Sequence, residues 1–102
     1  MRRLKIFVDK SFAGIFSENE NQYTIEYNPT YNGEPISLTL PVVEKKFEFN
    51  SFPSFFDGLL PEGIMLETLL KKYKIDRNDY FSQLEIVGAD LVGNISVEKI
   101  NE

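Results

Sequence analysis

Phe55-Phe56-Asp57-Gly58-Leu59-Leu60-Pro61-Glu62-Gly63 is the stretch on which the reading of this chain turns. Before residue 52 apolar and polar residues alternate in short runs; after it the apolar spacing becomes helical. Two aromatics and two leucines in succession need burial, while Pro61 and Gly63 force a bend before the helical pattern re-enters at Ile64. The local expectation is a short helix, a tight corner and a second helix.

Toward the N-terminus, Leu4 to Val8 alternate with charged neighbours and read as a half-buried strand. Asp9-Lys10-Ser11 is a turn, and Phe12 to Phe16 the returning strand. Tyr23 to Tyr27 is a third strand, dense in β-formers. Asn28 to Pro35 is turn chemistry throughout. Ile36-Ser37-Leu38-Thr39-Leu40 alternates again and is closed by Pro41, which predicts a fourth strand; Phe47-Glu48-Phe49 is a brief extended segment.

Toward the C-terminus, Pro53 suits the first position of a short helix running through Leu60. A second helix is expected from Ile64 to Lys74, with Glu67 and Lys71 paired four apart and lysines gathered at its end. Asp79 is placed to cap a third helix, Tyr80 to Val87, stopped by Gly88. Asn94 to Glu98 is a last short strand. The expected class is α+β, a small antiparallel sheet of about five strands with three helices packed on it, as a single domain over residues 1–102.

Composition narrows the chemistry. With 42% hydrophobic residues, nine Phe and five Tyr, 102 residues can build one modest core. No run approaches the roughly 20 apolar residues of a membrane span, and Met1-Arg2-Arg3 leads into no apolar signal segment. A chain without cysteine suits the cytoplasm. The net charge of −5 argues against direct nucleic-acid binding, which needs a basic surface. Histidine is absent, which removes the usual general base and the commonest metal ligand. The six glycines form no phosphate-cradling loop. The expectation is a protein that is not an enzyme, with no catalytic residues, no cofactor and no metal.

Three strings together resemble the N-terminal subdomain of HipA-type toxin kinases: Pro35-Ile36-Ser37-Leu38-Thr39-Leu40-Pro41, then Phe55 to Gly63, then Gly88-Ala89-Asp90-Leu91-Val92-Gly93-Asn94-Ile95. The resemblance covers nearly the whole chain. In HipA proteins a Ser/Thr kinase domain follows directly; this chain runs from Met1 to Glu102, about where that kinase would begin. It therefore resembles the HipS family of free-standing antitoxins in tripartite systems. The resemblance implies a separate HipA-like kinase toxin (HipT) as partner, with a HipB-like helix-turn-helix protein in a ternary complex. It also implies inhibition through a bulky residue, often Trp, just after the Leu-Pro-Glu-Gly corner; the matching positions here are Ile64 and Met65. An alternative within the same resemblance is a non-inhibitory assembly module that bridges the kinase and the DNA-binding partner for autoregulation.

A helical projection of Ile64 to Lys74 puts Leu66, Leu69, Leu70 and Tyr73 in one arc that should face the core. Met65 lies at the edge of that arc, and Ile64 falls opposite, with Thr68 and Lys71. On the residues alone Ile64 is either an interface anchor or one exposed aliphatic. The corner that carries the resemblance favours the anchor, so Glu62, Gly63, Ile64 and Met65 are the expected partner-binding residues. Phe55, Phe56, Leu59 and Leu60 are expected in the core, and Asp90 as a turn-former.

Overall fold

Alternation builds the first three strands. The computed structural model describes residues 1–91 and 93–100; Val92, which the third string includes, and residues 101–102 of the expected domain lie outside that range. In β1 (Arg2–Val8), Leu4, Ile6 and Val8 are buried. In β2 (Ser11–Asn19) and β3 (Gln22–Tyr27) the inward residues are Phe16, Ile25 and Tyr27. The connecting pairs Asp9-Lys10 and Glu20-Asn21 all have positive φ, between 49° and 70°, the turn geometry whose twist matches antiparallel neighbours.

Ile6 pairs with Gly14 and Phe7 with Phe12, so Ala13 is the extra residue of a bulge. A bulge reverses the parity of what precedes it. Phe12, in step with Phe16 by simple alternation, is turned to the opposite face beside Phe7, ring centroids 6.0 Å apart.

Two short strands complete the sheet, β4 (Lys46–Phe49) and β5 (Ile95–Lys99), in the order β4-β3-β2-β1-β5, every neighbour antiparallel. The fourth strand is therefore the brief Phe47 segment, not Ile36–Leu40. Ile36 and Leu40 are buried at 3% and 4% exposure while Leu38 is 95% exposed, a spacing of four that a strand cannot produce. The segment is bent by a turn in which Leu40 N–H donates to the Ser37 carbonyl at 2.9 Å. It is held by Tyr27, whose hydroxyl accepts from Ile36 N–H at 2.9 Å and donates to the Leu40 carbonyl.

The helices are α1 (Ser54–Asp57), α2 (Gly63–Tyr73) and α3 (Tyr80–Val87). Helix α1 stops three residues before the expected Leu60. Leu59 N–H bonds to the Phe56 carbonyl at 3.0 Å and Leu60 N–H to the Asp57 carbonyl at 3.2 Å, so the chain tightens into three-residue turns ahead of Pro61, which cannot extend a helix. Beyond α3 the chain continues as a single 3₁₀ turn, Gly88–Asp90. A Cβ on Gly88 would sit 2.5 Å from the Val97 carbonyl oxygen, so glycine lets this turn close on β5.

One face of the sheet carries the core, and Phe16 is its hub. Its ring lies 4.7 Å from Phe56, 5.2 Å from Phe81, 5.7 Å from Phe52 and 5.9 Å from Tyr23. Edge, tilted and stacked contacts of this kind add to the burial of apolar area. The first and third helices reach the sheet through this cluster.

Candidate functional site: an apolar corner beside an open groove

Phe56 and Leu60 are buried, with Phe55 and Leu59 half-buried against the same core. These four residues anchor the corner. Pro61 fixes φ as the chain leaves the core, and Glu62 is extended with φ −131° and ψ 168°. Gly63 then takes φ +60°, the left-handed region where any side chain is strained. The chain enters α2 through Leu66 N–H bonding to the Glu62 carbonyl at 3.4 Å.

The result is a fixed base with an apolar pair on its outside. Ile64 is 85% exposed and Met65 73%. Expected partner-binding residues Glu62 and Gly63 are exposed beside them, so all four residues share one projecting corner. The opposite side of α2 carries the half-buried Leu66, Leu69 and Leu70, as the projection requires, while Thr68 and Lys71 are exposed with Ile64. Tyr73 departs from the projection: at 47% exposure it lies in the last turn, beside Lys72, whose ammonium stands 5.4 Å from its ring. That turn ends in left-handed Lys74, past the reach of the core. The expected Glu67–Lys71 pair is also replaced; Glu67 pairs with Arg77 in the loop after α2. None of the residues of α2 is fully buried, so its attachment rests on one half-buried leucine stripe and its two ends.

Tertiary folding adds residues that spacing along the chain does not associate with the corner. Leu59, Leu60, Pro61 and Met65 meet Val87 and Leu91 around an open groove of about 430 Å³. Gly58 and Asp90 also line it, and among the described residues this lining holds no lysine or arginine. The string beginning at Gly88 thus meets the string ending at Gly63. Asp90, expected as a turn-former, lies in the 3₁₀ turn and also borders the groove. Two further exposed aliphatics are Leu38 at 95%, expected in a strand, and Val43 at 86%; the prolines Pro35 and Pro41 that bracket Leu38 are the signal that its segment is a loop.

Helix α3, which supplies Val87, is held in place by charge. Arg2 makes a two-pronged bond to Glu18 at 2.7 and 2.8 Å, and its third nitrogen donates to Asp79 at 3.0 Å and to the Ser82 hydroxyl at 2.9 Å. The guanidinium also lies 4.7 Å from the Phe81 ring. Asp79 caps α3 by accepting Ser82 N–H at 3.2 Å, as its position in the sequence predicts. Burial acts to raise the Asp79 carboxyl, but hydrogen bonds from the Ser82 hydroxyl and amide and from Arg2, with the Arg2 charge, hold it below the usual range. Among the described residues there is no group of three or more His, Cys, Asp or Glu side chains able to hold a metal ion, and no helix long and apolar enough to cross a membrane.

Comparison with known proteins places this architecture. A chain described as the N-terminal domain of HipA toxin superposes with a TM-score of 0.80 at 28% identity, over 100% of this chain and 95% of that one. A Haemophilus influenzae protein of uncharacterized function is 28% identical over 99 residues, 97% of this chain and 93% of that protein. The five-stranded antiparallel sheet with three helices is the HipA N-terminal-domain fold. The family model of the HipA N-terminal domain matches residues 4–98, and the chain belongs to that family.

Proposed function

We propose that this protein is an antitoxin that binds a separate HipA-like Ser/Thr kinase and inhibits it through the corner formed by Glu62, Gly63, Ile64 and Met65. Family membership supports a toxin–antitoxin context and corresponds to the domain that accompanies the kinase rather than the kinase itself. The observation that carries the reading is the exposed pair Ile64 and Met65, 85% and 73% accessible, on a corner fixed by Pro61, Gly63 and the buried Phe56 and Leu60. Large apolar side chains on a pre-formed base suit a protein interface, because little backbone freedom is lost on binding. Met65 adapts to an imperfect pocket better than a branched residue. Occupying the kinase cleft, or blocking its closure, requires no chemistry from this chain.

The test is to purify a HipA-family kinase with and without this protein and measure phosphoryl transfer. Inhibition by the native chain and its loss in Ile64→Asp/Met65→Asp, with circular dichroism unchanged, are the expected results. Complex formation at full kinase activity would instead support an assembly module bridging the kinase and a HipB-like DNA-binding protein. Retained inhibition by the double variant would move the site away from the corner.

A further inference from the structure

The corner offers a ridge, Ile64 and Met65, and beside it a depression, the groove between Leu59, Pro61, Met65, Val87 and Leu91. Met65 belongs to both. The one charged side chain in the described lining is acidic. Asp90 lines it, Asp57 precedes lining residue Gly58, and Glu62 follows lining residue Pro61. All three carboxylates are exposed.

We infer that this groove is a socket for the kinase partner, receiving a single large aliphatic or aromatic side chain from a kinase segment that carries lysine or arginine next to that anchor. The inference rests on the corner reading above and deepens it, making the interface reciprocal: the antitoxin inserts Ile64 and Met65 and takes an anchor in return. The apolar walls select the anchor, and the carboxylate rim selects its basic neighbours. Apolar pockets that become desolvated on binding are where binding free energy concentrates, since the contacts around the anchor exclude water, while nearby charge orients the approach. A partner whose anchor is flanked by acids would meet like charge and be rejected. The overall net charge of −5 extends the same preference to the encounter.

Two kinds of variant separate the rim from the walls. Asp57→Lys/Asp90→Lys reverses the rim at exposed positions. Gly58→Leu crowds the groove; a Cβ there meets only the Phe55 and Ser54 carbonyl oxygens at 3.6 Å, ordinary contact, so the backbone accepts it. Binding of each full-length variant to a purified HipA-family kinase is measured by calorimetry at low and high salt, with thermal melts as the folding control. The expected result is at least tenfold weaker binding for each. For the charge variant the loss is larger at low salt, because high salt screens the repulsion. Native binding with both variants within twofold of it overturns the socket and leaves the corner reading standing. No binding by the native chain, with Ile64→Asp/Met65→Asp equally inert, overturns both. A variant that melts early is replaced by Asp90→Asn, for which a loss of about threefold supports the rim and no loss overturns it.

Discussion

The hydroxyl of Tyr27 accepts the backbone N–H of Ile36 at 2.9 Å while both residues are buried. That bond, with the one Tyr27 donates to the Leu40 carbonyl, fastens a non-strand segment across the end of the sheet. Burial pushes the phenol up from its ordinary value, despite the Ile36 bond acting the other way, so the hydroxyl stays a donor. Tyr27→Phe leaves a buried amide and a buried carbonyl without this partner. A loss of about 2 kcal/mol in urea unfolding is expected, near the middle of the range for unsatisfied buried groups. The Ile64/Met65 corner is untouched by this change, so kinase binding measured well below the melting temperature should stay within about twofold, as expected for sites that do not share partners.

Gly63 has φ +60° with open space around its α-carbon. Gly63→Val is therefore a backbone test without a steric clash. The left-handed conformation costs a non-glycine residue about 1–2 kcal/mol, and a β-branched one resists it most. The corner is expected to relax, and binding to the kinase to fall more than global stability does. Comparing calorimetric affinity with the melting temperature decides it.

Ile64→Ala removes an exposed aliphatic that packs little against the protein's own core. Stability should change by less than about 0.5 kcal/mol, as for surface positions generally. Kinase affinity should fall about tenfold, the effect of a moderate interface anchor. An unchanged affinity would place the contact on Met65 or elsewhere.

The Asp79 carboxyl is held below its ordinary value of 3.8 in the folded protein. A folded pKa below the unfolded one means that the ionised group stabilises the fold above the unfolded value. That contribution is lost as pH falls from 3.8 through the lower folded value. Asp79→Asn keeps a capping side chain but cannot titrate. Its stability should vary less with pH below about 4 than that of the native protein, a difference that urea midpoints from pH 5 down to pH 2.5 would reveal.

Gly88→Ala places a methyl against Val97, including its carbonyl oxygen at 2.5 Å. The 3₁₀ turn would have to lift from β5, and overpacking of this kind costs about 1–3 kcal/mol. Because Asp90 and Leu91 follow directly, the groove should distort as well. A lower melting temperature with weakened kinase binding is expected.

Local sequence determined much of this protein. β1 and β3 follow from alternation, α2 and α3 from helical spacing within about a residue, and the Asp79 cap from a short acceptor placed before an apolar run. The exposed Ile64 follows from projection onto a helix, because an element's own period decides which side chains share a face. The Pro-Glu-Gly corner was legible for the same reason: φ limits at proline and glycine act on single residues.

Tertiary contacts decided the rest. Ile36–Leu40 alternates as a strand does, but the Tyr27 hydroxyl satisfies its backbone in another way, and the four-residue Phe47 segment takes the ladder position. Phe12 changes face because one bulged residue reverses parity. Tyr73 stays half-exposed because α2 extends past the core its spacing anticipates. The groove unites Leu59 with Leu91 through the packing of α3 and its 3₁₀ turn on β5. Periodicity along a chain specifies a face but not what will be packed against it, and that is why the corner could be read from the sequence while the groove beside it appeared only in the folded protein.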